Sequence, residues 1–255
     1  MATVFDVVTE EFIDDMDAIR ALVTTFSDPA KGAKARLAAA NSATLLVAAT
    51  FEEFIREMAR EYARAVVQNA ESFDKLPSKL AATAWRRTMD GLARLRVENG
   101  QGANAAHNIL GKAQARFSVI YSFCTGDMTQ DIYRDLIHNE NNMRPAELNN
   151  QFKVSGLGDV CKKLSDKQPN LEFFGAFDAN SVHGKIISSL EDFFERRNAI
   201  AHALNRGQSS GPDQIMNEIG LLENFGKSLC ETLNQLLPSP PSITVDGGDV
   251  SLDAV

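Results

Sequence analysis

Residues 33–69 read AKARLAAANSATLLVAATFEEFIREMAREYARAVVQN, and this stretch contains neither proline nor glycine. It is rich in Ala, Leu, Glu and Arg, which lose little conformational freedom when they enter an α-helix. Summed over so many positions, the composition predicts one long helix. Nothing elsewhere in the chain has the pattern of a sheet, and no long internal repeat is present. The sequence therefore predicts an all-α fold.

Further helices are predicted on both sides of this segment. Between residues 125 and 180, short apolar groups alternate with turn sequences such as SGLGD and SDKQPN, which indicates small helices joined by turns. Proline at the start of a helix is favourable, so Pro77 is expected to open one. The longer helices are expected at about residues 8–26, 77–97, 103–123, 181–204 and 214–237.

These segments predict a single all-helical domain over residues 1–237, with its core from about residue 40 and a short N-terminal helix before it. The remaining residues, 238–255, read PSPPSITVDGGDVSLDAV and are expected to form a flexible acidic tail, because they have little periodicity.

The charge and cysteine content limit the class of protein. The 255 residues include 26 basic and 34 acidic side chains, a formal charge of −8, which argues against a protein that coats nucleic acid non-specifically. The three cysteines are far apart and form no C-x-x-C pair, as is typical of proteins in a reducing compartment. The acidic N-terminus is unlike a signal peptide, and no apolar run is long enough to cross a bilayer. We expect a cytoplasmic protein that does not interact with membranes.

No metal or cofactor site is expected. The histidines His107, His138 and His183 do not form an H-x-x-x-H pair with one another, and the cysteines add no ligand pattern. The glycines Gly156 and Gly158 follow no predicted strand and do not belong to a G-x-x-x-x-G-K loop, so they do not indicate a nucleotide site.

One late helix carries the residues best suited to chemistry. Its helical seam is apolar except at Arg197, and it consists of Ile186, Leu190, Phe193, Arg197, Ile200 and Leu204. A cation on a buried seam needs an anion or a carboxylate as its partner. Arg196 is expected on the outer face, paired with Asp192. Asn198 and His202 are four residues apart, so one edge of the helix carries a cation, an amide and an imidazole.

The long helix offers a carboxylate for Arg197. Glu52 lies in phase with the apolar residues Ala48, Ile55 and Ala59, whereas Glu53 lies in phase with the charged residues of a solvated face. We therefore expect Glu52 to pair with Arg197 or to orient His202. A purely structural ion pair is the alternative.

The segment Arg197-Asn198-x-x-x-His202 resembles the motif of HEPN ribonucleases, in which an Arg is followed by four to six residues and a His. The context Leu190-Glu191-Asp192-Phe193-Phe194 is similar to the final active helix of that superfamily. Three other segments resemble the HEPN subfamilies linked to RiboL-PSP and to MAE_28990-type proteins. These segments are Phe51-Glu52-Glu53-Phe54, Asn141-Asn142-Met143-Arg144-Pro145-Ala146-Glu147-Leu148 and Gly156-Leu157-Gly158. The resemblance extends from about Ala40 to Leu237 and implies an antiparallel helical bundle with additional short helices.

The resemblance implies a metal-independent endoribonuclease that works as a homodimer without a cofactor. The RNA 2′-hydroxyl would attack the adjacent phosphate and leave a 2′,3′-cyclic phosphate and a 5′-hydroxyl. His202 would move the protons, Arg197 would stabilise the phosphoryl oxygens, and Asn198 would orient the phosphate or the imidazole. One His cannot make both proton transfers at once, whereas two related by a twofold axis could.

A basic region supplies a candidate path for RNA. Residues 79–116 contain seven basic and two acidic side chains. Arg86, Arg87 and Arg94 are the candidate RNA-binding residues, with Trp85 or His107 available for stacking on bases. A solvated helix face is the simpler alternative.

The resemblance also implies a role as a toxin or an antiviral defence effector, with an antitoxin or another defence component as a partner. Two other classes remain open. The chain could be a non-catalytic HEPN-like dimerisation or RNA-binding module, or a helical scaffold that binds another protein.

Overall fold

The computed structural model describes residues 2–28, 30–95, 103–138, 141–202 and 211–236, with side chains from residue 108 onward in the third range. These residues form α-helices and one 3₁₀ turn, and none of them is in a strand. The helices are α1 (Val4–Phe26), α2 (Ala33–Gln68), α3 (Leu80–Ala93), α4 (Ala103–Cys124), α5 (Tyr133–Leu136), α6 (Pro145–Lys153), α7 (Val160–Lys163), α8 (Gln168–Phe174), α9 (Ala179–His202) and α10 (Pro212–Leu236), and the 3₁₀ turn is Phe73–Lys75. The predicted all-α fold is confirmed.

Helix α2 is the centre of the bundle. It packs against α1, α10 and α9 and also contacts the short helices α5 and α6. Its buried residues follow the helical period on more than one face, since α2 is covered from several sides. Helix α9 lies against α2, α6, α7 and α8, while α3 packs on α4 and α5. The long helix predicted from composition therefore supports the helix that carries Arg197 and His202.

Aromatic side chains join the longest helices. The ring of Phe12 in α1 stacks on Phe54 in α2 with 4.1 Å between the ring centroids. Phe51 in α2 meets Phe225 in α10 edge to face at 5.5 Å and Phe194 in α9 at 6.3 Å. A methyl group in place of the Gly226 hydrogen would come within 3.0–3.3 Å of the Phe12 and Phe54 rings. Glycine at this position thus lets α10 approach the other two helices closely.

Three helix starts differ from those predicted. Helix α1 begins at Val4 rather than near residue 8, because Thr3 and Asp6 form a capping box that satisfies the first backbone amides. Helix α3 begins at Leu80 rather than at Pro77, whose carbonyl instead accepts the N–H of Leu80 in a turn. Helix α10 begins at Pro212 rather than near residue 214, because proline suits a first helical position.

Asp6 connects the start of α1 to α10. Its carboxylate accepts the Thr3 backbone N–H at 2.7 Å and the Asn234 side-chain amide at 2.9 Å, and it contacts Cys230 Sγ at 3.2 Å. These hydrogen bonds, that of the Thr3 backbone first and that of Cys230 next, lower the pKa of Asp6 from 3.8 to about 2. The ionised form is therefore favoured in the folded protein.

We expect Asp6→Asn to lower the free energy of unfolding at neutral pH and to remove part of its decrease in acid. A folded-state pKa below the unfolded value adds stability that is present above about pH 4 and disappears as the pH falls toward about 2. Urea unfolding at neutral and acidic pH measures both effects. Asp15→Asn, at an exposed position of the same helix, is the control. An unchanged pH dependence in Asp6→Asn would contradict the expectation.

The first and last residues of the predicted domain, residues 1 and 237, lie outside the described residues. The predicted tail at residues 238–255 also lies outside them. None of the helices in the described ranges combines the length and the apolar character needed to cross a membrane. All three cysteines are free thiols, with Cys161 and Cys230 buried and Cys124 partly buried.

Candidate functional site

The candidate site is built on the face of α9 that points toward α2. Ile186, Leu190, Phe193 and Ile200 are buried on this seam, and Arg197 on the same seam is half-buried. Leu204, the last predicted member of the seam, lies outside the described residues. The apolar members fix the rotation of α9 and thereby hold Arg197 against the core.

Glu52 of α2 is the carboxylate on which the charge of Arg197 acts. Burial raises the pKa of Glu52, and the charges of Arg197 and Arg56 partly offset this increase. The backbone amide of Met143 also faces the carboxylate and lowers its pKa. Glu52 is half-buried and Glu53 is exposed, as the helical phase of α2 predicts.

Two buried polar atoms of this pair have no partner within the described part of the chain. They are Oε1 of Glu52 and Nε of Arg197. A buried polar atom without a hydrogen bond is costly, and native proteins contain few of them. Glu52 and Arg197 thus each keep one buried polar atom whose hydrogen-bonding capacity is not used within the described residues.

An asparagine pair extends the site to the segment before α6. Asn198 Oδ1 accepts a hydrogen bond from Arg197 at 3.2 Å and another from Nδ2 of Asn142 at 2.7 Å. Arg144 then pairs with Glu191 of α9 at 2.7 Å. The segment is held in place by the side chain of Met143, which is fully buried.

Asn142, Arg144 and Glu191 were not predicted as site residues. The resemblance of residues 141–148 and 190–194 to HEPN proteins was the only sequence signal for them. No helical period connects this segment to α9, since it precedes Pro145 and lies outside any helix.

His202 lies one turn beyond Asn198 and is exposed to solvent. The edge of α9 therefore places a half-buried guanidinium and an accessible imidazole on neighbouring turns. A proton donor or acceptor must reach the reacting atoms, and an exposed position allows this. Arg197 and His202 are five residues apart, which corresponds to a rise of about 7.5 Å along α9.

The predicted partner of Arg196 is wrong. Arg196 hydrogen-bonds the carboxylate of Glu218 in α10 at 2.6 and 2.8 Å rather than forming a solvated pair with Asp192. Glu218 is only 3% exposed, so this pair is part of the core boundary. Helical phase separates Arg196 from Arg197 correctly, but it does not show which helix a long side chain will reach.

The basic residues predicted to bind RNA have different surroundings. Arg86 and Arg94 are exposed, whereas Arg87 is half-buried and donates from Nη1 to the carbonyl of Leu136. Burial lowers the pKa of Arg87. Arg116 donates two hydrogen bonds to the carboxylate of Asp135, at 2.6 and 2.7 Å. Arg96 and the side chain of His107 lie outside the described residues.

A polar pocket of about 420 Å³ connects this basic region to the asparagine segment. It lies between α3, α4 and α5 and reaches Asn141, the neighbour of Asn142. Its other lining residues are Arg87, Asp90, Gly91, Arg94, Arg116, Asp135 and His138. Within the described ranges, no group of three His, Cys, Asp or Glu side chains is arranged to hold a metal ion.

A comparison with known protein families shows to which family the chain belongs. The model of a family described as RiboL-PSP-HEPN matches residues 10–238. The chain belongs to the RiboL-PSP-HEPN family. Neither a search of curated proteins nor a search of solved structures finds a match.

The match extends the HEPN resemblance toward the N-terminus. The sequence features indicated similarity from about Ala40, whereas the family match begins at residue 10 and includes most of α1. This agrees with the packing, because α1 lies against both α2 and α10. The first helix is therefore part of the HEPN unit and not an addition to it.

Proposed function

We propose that this HEPN protein is a metal-independent endoribonuclease that acts as a homodimer. The observation that carries the proposal is the arrangement around Arg197, whose guanidinium donates to the side-chain oxygen of Asn198 and whose charge acts on the half-buried carboxylate of Glu52. His202 follows on the next turn and is open to solvent. The family membership is consistent with an activity on RNA.

The reaction uses a nucleophile that RNA itself contains. A 2′-hydroxyl attacks the neighbouring phosphorus, the bond to the 5′-oxygen breaks, and the products carry a 2′,3′-cyclic phosphate and a 5′-hydroxyl. His202 accepts the proton of the 2′-hydroxyl, and the His202 of a second copy protonates the leaving oxygen. Arg197 stabilises the charge on the phosphoryl oxygens with its planar donors, and Asn198 orients them. Glu52 is a positioning residue that acts through Arg197.

The direct test is incubation of the purified protein with total RNA in the presence of EDTA, followed by mapping of the RNA ends. Cleavage that persists with the chelator and leaves 2′,3′-cyclic phosphate ends supports the proposal. An intact RNA pool would support the non-catalytic dimerisation or RNA-binding module instead. The mapped positions would also identify the substrate among transfer, messenger and ribosomal RNA.

We further propose that the activity serves a toxin or an antiviral defence effector, controlled by an antitoxin or another defence component. Expression of the wild-type protein should then arrest growth, and His202→Ala should relieve the arrest. Harmless expression of an active wild-type enzyme would count against the toxin role and would leave the nuclease proposal intact.

We expect Glu52→Gln to reduce cleavage about tenfold and to change its pH dependence, whereas Glu53→Gln should change neither. The amide keeps the shape of Glu52 but removes the charge that faces Arg197. Because burial raises the pKa of Glu52, activity that needs its ionised form is lost on acidification at a higher pH than for an ordinary carboxyl group. In Glu52→Gln this acidic limb of the rate profile should be absent.

Glu53 is a matched control because it lies on the same helix and already has partners. Burial alone would raise the pKa of Glu53, but hydrogen bonds from Arg60 and Arg56 outweigh burial and lower this pKa. Rates measured against pH for both variants distinguish positioning of Arg197 from a structural ion pair. A structural role for Glu52 would lower thermal stability without moving the acidic limb.

A further inference from the structure

Three exposed aromatic rings form a row across α3 and α4. Trp85, Phe117 and Tyr121 are 38%, 41% and 54% exposed. The centroids of Trp85 and Phe117 are 6.1 Å apart with the rings inclined at 65°, and those of Phe117 and Tyr121 are 6.0 Å apart at 26°. We call these three residues the aromatic ladder. Large apolar side chains that are contiguous on a surface usually mark a binding site.

The charge around the aromatic ladder indicates an anionic partner. Helix α4 contains Lys112 and Arg116 but no Asp or Glu, although the whole chain carries a formal charge of −8. Arg86, directly after Trp85, and Lys112 are both exposed. Arg87 donates to the carbonyl of Leu136 and Arg116 pairs with the carboxylate of Asp135, so the exposed cation directly beside Trp85 is Arg86.

Rings beside cations match the chemistry of a nucleic-acid strand with unpaired bases. Each base has a flat face that stacks on an aromatic ring, and phosphates attract Lys and Arg. In a duplex the base faces are already stacked on one another and cannot reach the protein. A neutral apolar partner would explain the rings but not the absence of acidic residues from α4.

We propose that the aromatic ladder binds unpaired bases of single-stranded RNA, with Arg86 on an adjacent phosphate. This inference rests on the proposed ribonuclease function and defines its substrate as RNA that is single-stranded beside the cleavage position. The polar pocket on the inner side of α3 and α4 includes Asn141, next to the Asn142 that bonds Asn198. The aromatic ladder thus lies on the same helix pair that lines this pocket. Stacking alone discriminates little between bases, so we expect weak sequence preference.

The test uses Trp85 as its probe, because it is the only tryptophan in the chain. The full-length protein is titrated with a short 2′-O-methyl oligouridine, which lacks the 2′-hydroxyl nucleophile, and with the same strand annealed to its complement. We expect the single strand to quench Trp85 fluorescence and the duplex to leave it unchanged. Phe117→Ala and Tyr121→Ala should each weaken binding of the single strand about tenfold.

Phe177→Ala is the matched control, because Phe177 is fully exposed and lies outside the aromatic ladder between α8 and α9. Equal affinity of wild type, Phe117→Ala and Tyr121→Ala for the single strand would overturn the inference, as would equal quenching by the duplex. Sedimentation of the same variants tests whether the surface instead joins two copies of the chain. If they lose self-association while their RNA affinity is unchanged, the surface joins two copies of the chain and the inference is wrong.

The outcome is separate from that of the proposed function, because the probe cannot be cleaved. Binding of the oligouridine at the aromatic ladder by a protein that leaves total RNA intact would refute the nuclease and keep the binding surface. Cleavage of total RNA by a protein whose ladder variants bind and cut normally would refute only the surface.

Discussion

Replacement of His202 or Arg197 by alanine is expected to lower the rate of RNA cleavage about a hundredfold or more. Positioned proton transfer contributes about 10²–10⁴ in rate, and removal of one donor to a developing oxyanion costs about 10²–10³. Arg197 lies on the seam of α9 that packs toward α2 and donates to Asn198, which also accepts from Asn142, and His202 is exposed one turn beyond Asn198. Initial rates on a defined RNA, with the fold checked by circular dichroism, measure the loss.

The chain provides a matched control for each substitution. His183 is the other histidine of α9; it is half-buried and 3.9 Å from Asp159, and His183→Ala should cleave RNA at nearly the wild-type rate. Arg196 precedes Arg197 but pairs with Glu218, so Arg196→Lys should also retain the rate. Loss of activity in both controls to the same extent would mean that α9 as a whole, and not its Arg197 edge, supports catalysis.

The same variants test the shared site. If two copies of His202 divide the two proton transfers, mixing wild type with His202→Ala should form inactive mixed dimers. Activity should then fall more steeply than the fraction of wild-type chains. A linear fall after complete subunit exchange would show that each chain carries an independent site.

Replacement of Phe51 by alanine is expected to destabilise the protein by about 3–5 kcal/mol. Phe51 is fully buried and contacts Phe12 of α1, Phe194 of α9 and Phe225 of α10. The substitution loses the burial of the ring and leaves a cavity that the three surrounding helices cannot fully close. Urea denaturation should show a lower midpoint with a similar dependence on denaturant.

Leu46→Ala on the same helix is the control, because Leu46 is 46% exposed and should change the stability by less than about 0.5 kcal/mol. The position of Phe51 also matters for the site, since Phe194 is three residues before Arg197 and Phe51 is adjacent to Glu52. A loss in Phe51→Ala no larger than in Leu46→Ala would mean that this aromatic contact does not hold α9 on α2.

Local sequence patterns were sufficient to predict which segments form the long helices. Composition identified α2, and a period of three to four residues placed Glu52 on the buried face and Glu53 on the exposed face. The same patterns predicted the first residues of the helices less well. Capping at Thr3 and the turn after Pro77 depend on single residues rather than on summed propensity. The resemblance carried by Arg197 and His202 also pointed to the family that the chain belongs to.

The partners of these residues were decided by the tertiary structure. Arg196 and Arg197 are adjacent in sequence, yet one reaches Glu218 of α10 and the other lies near Glu52 of α2. Asn142 meets Asn198 across 56 positions of sequence, and Phe117 meets Trp85 across two helices. A helical period determines which face of a helix is buried, because it depends only on the residues of that helix. Which other helix covers that face depends on how all the buried faces pack together, and no local pattern contains that information.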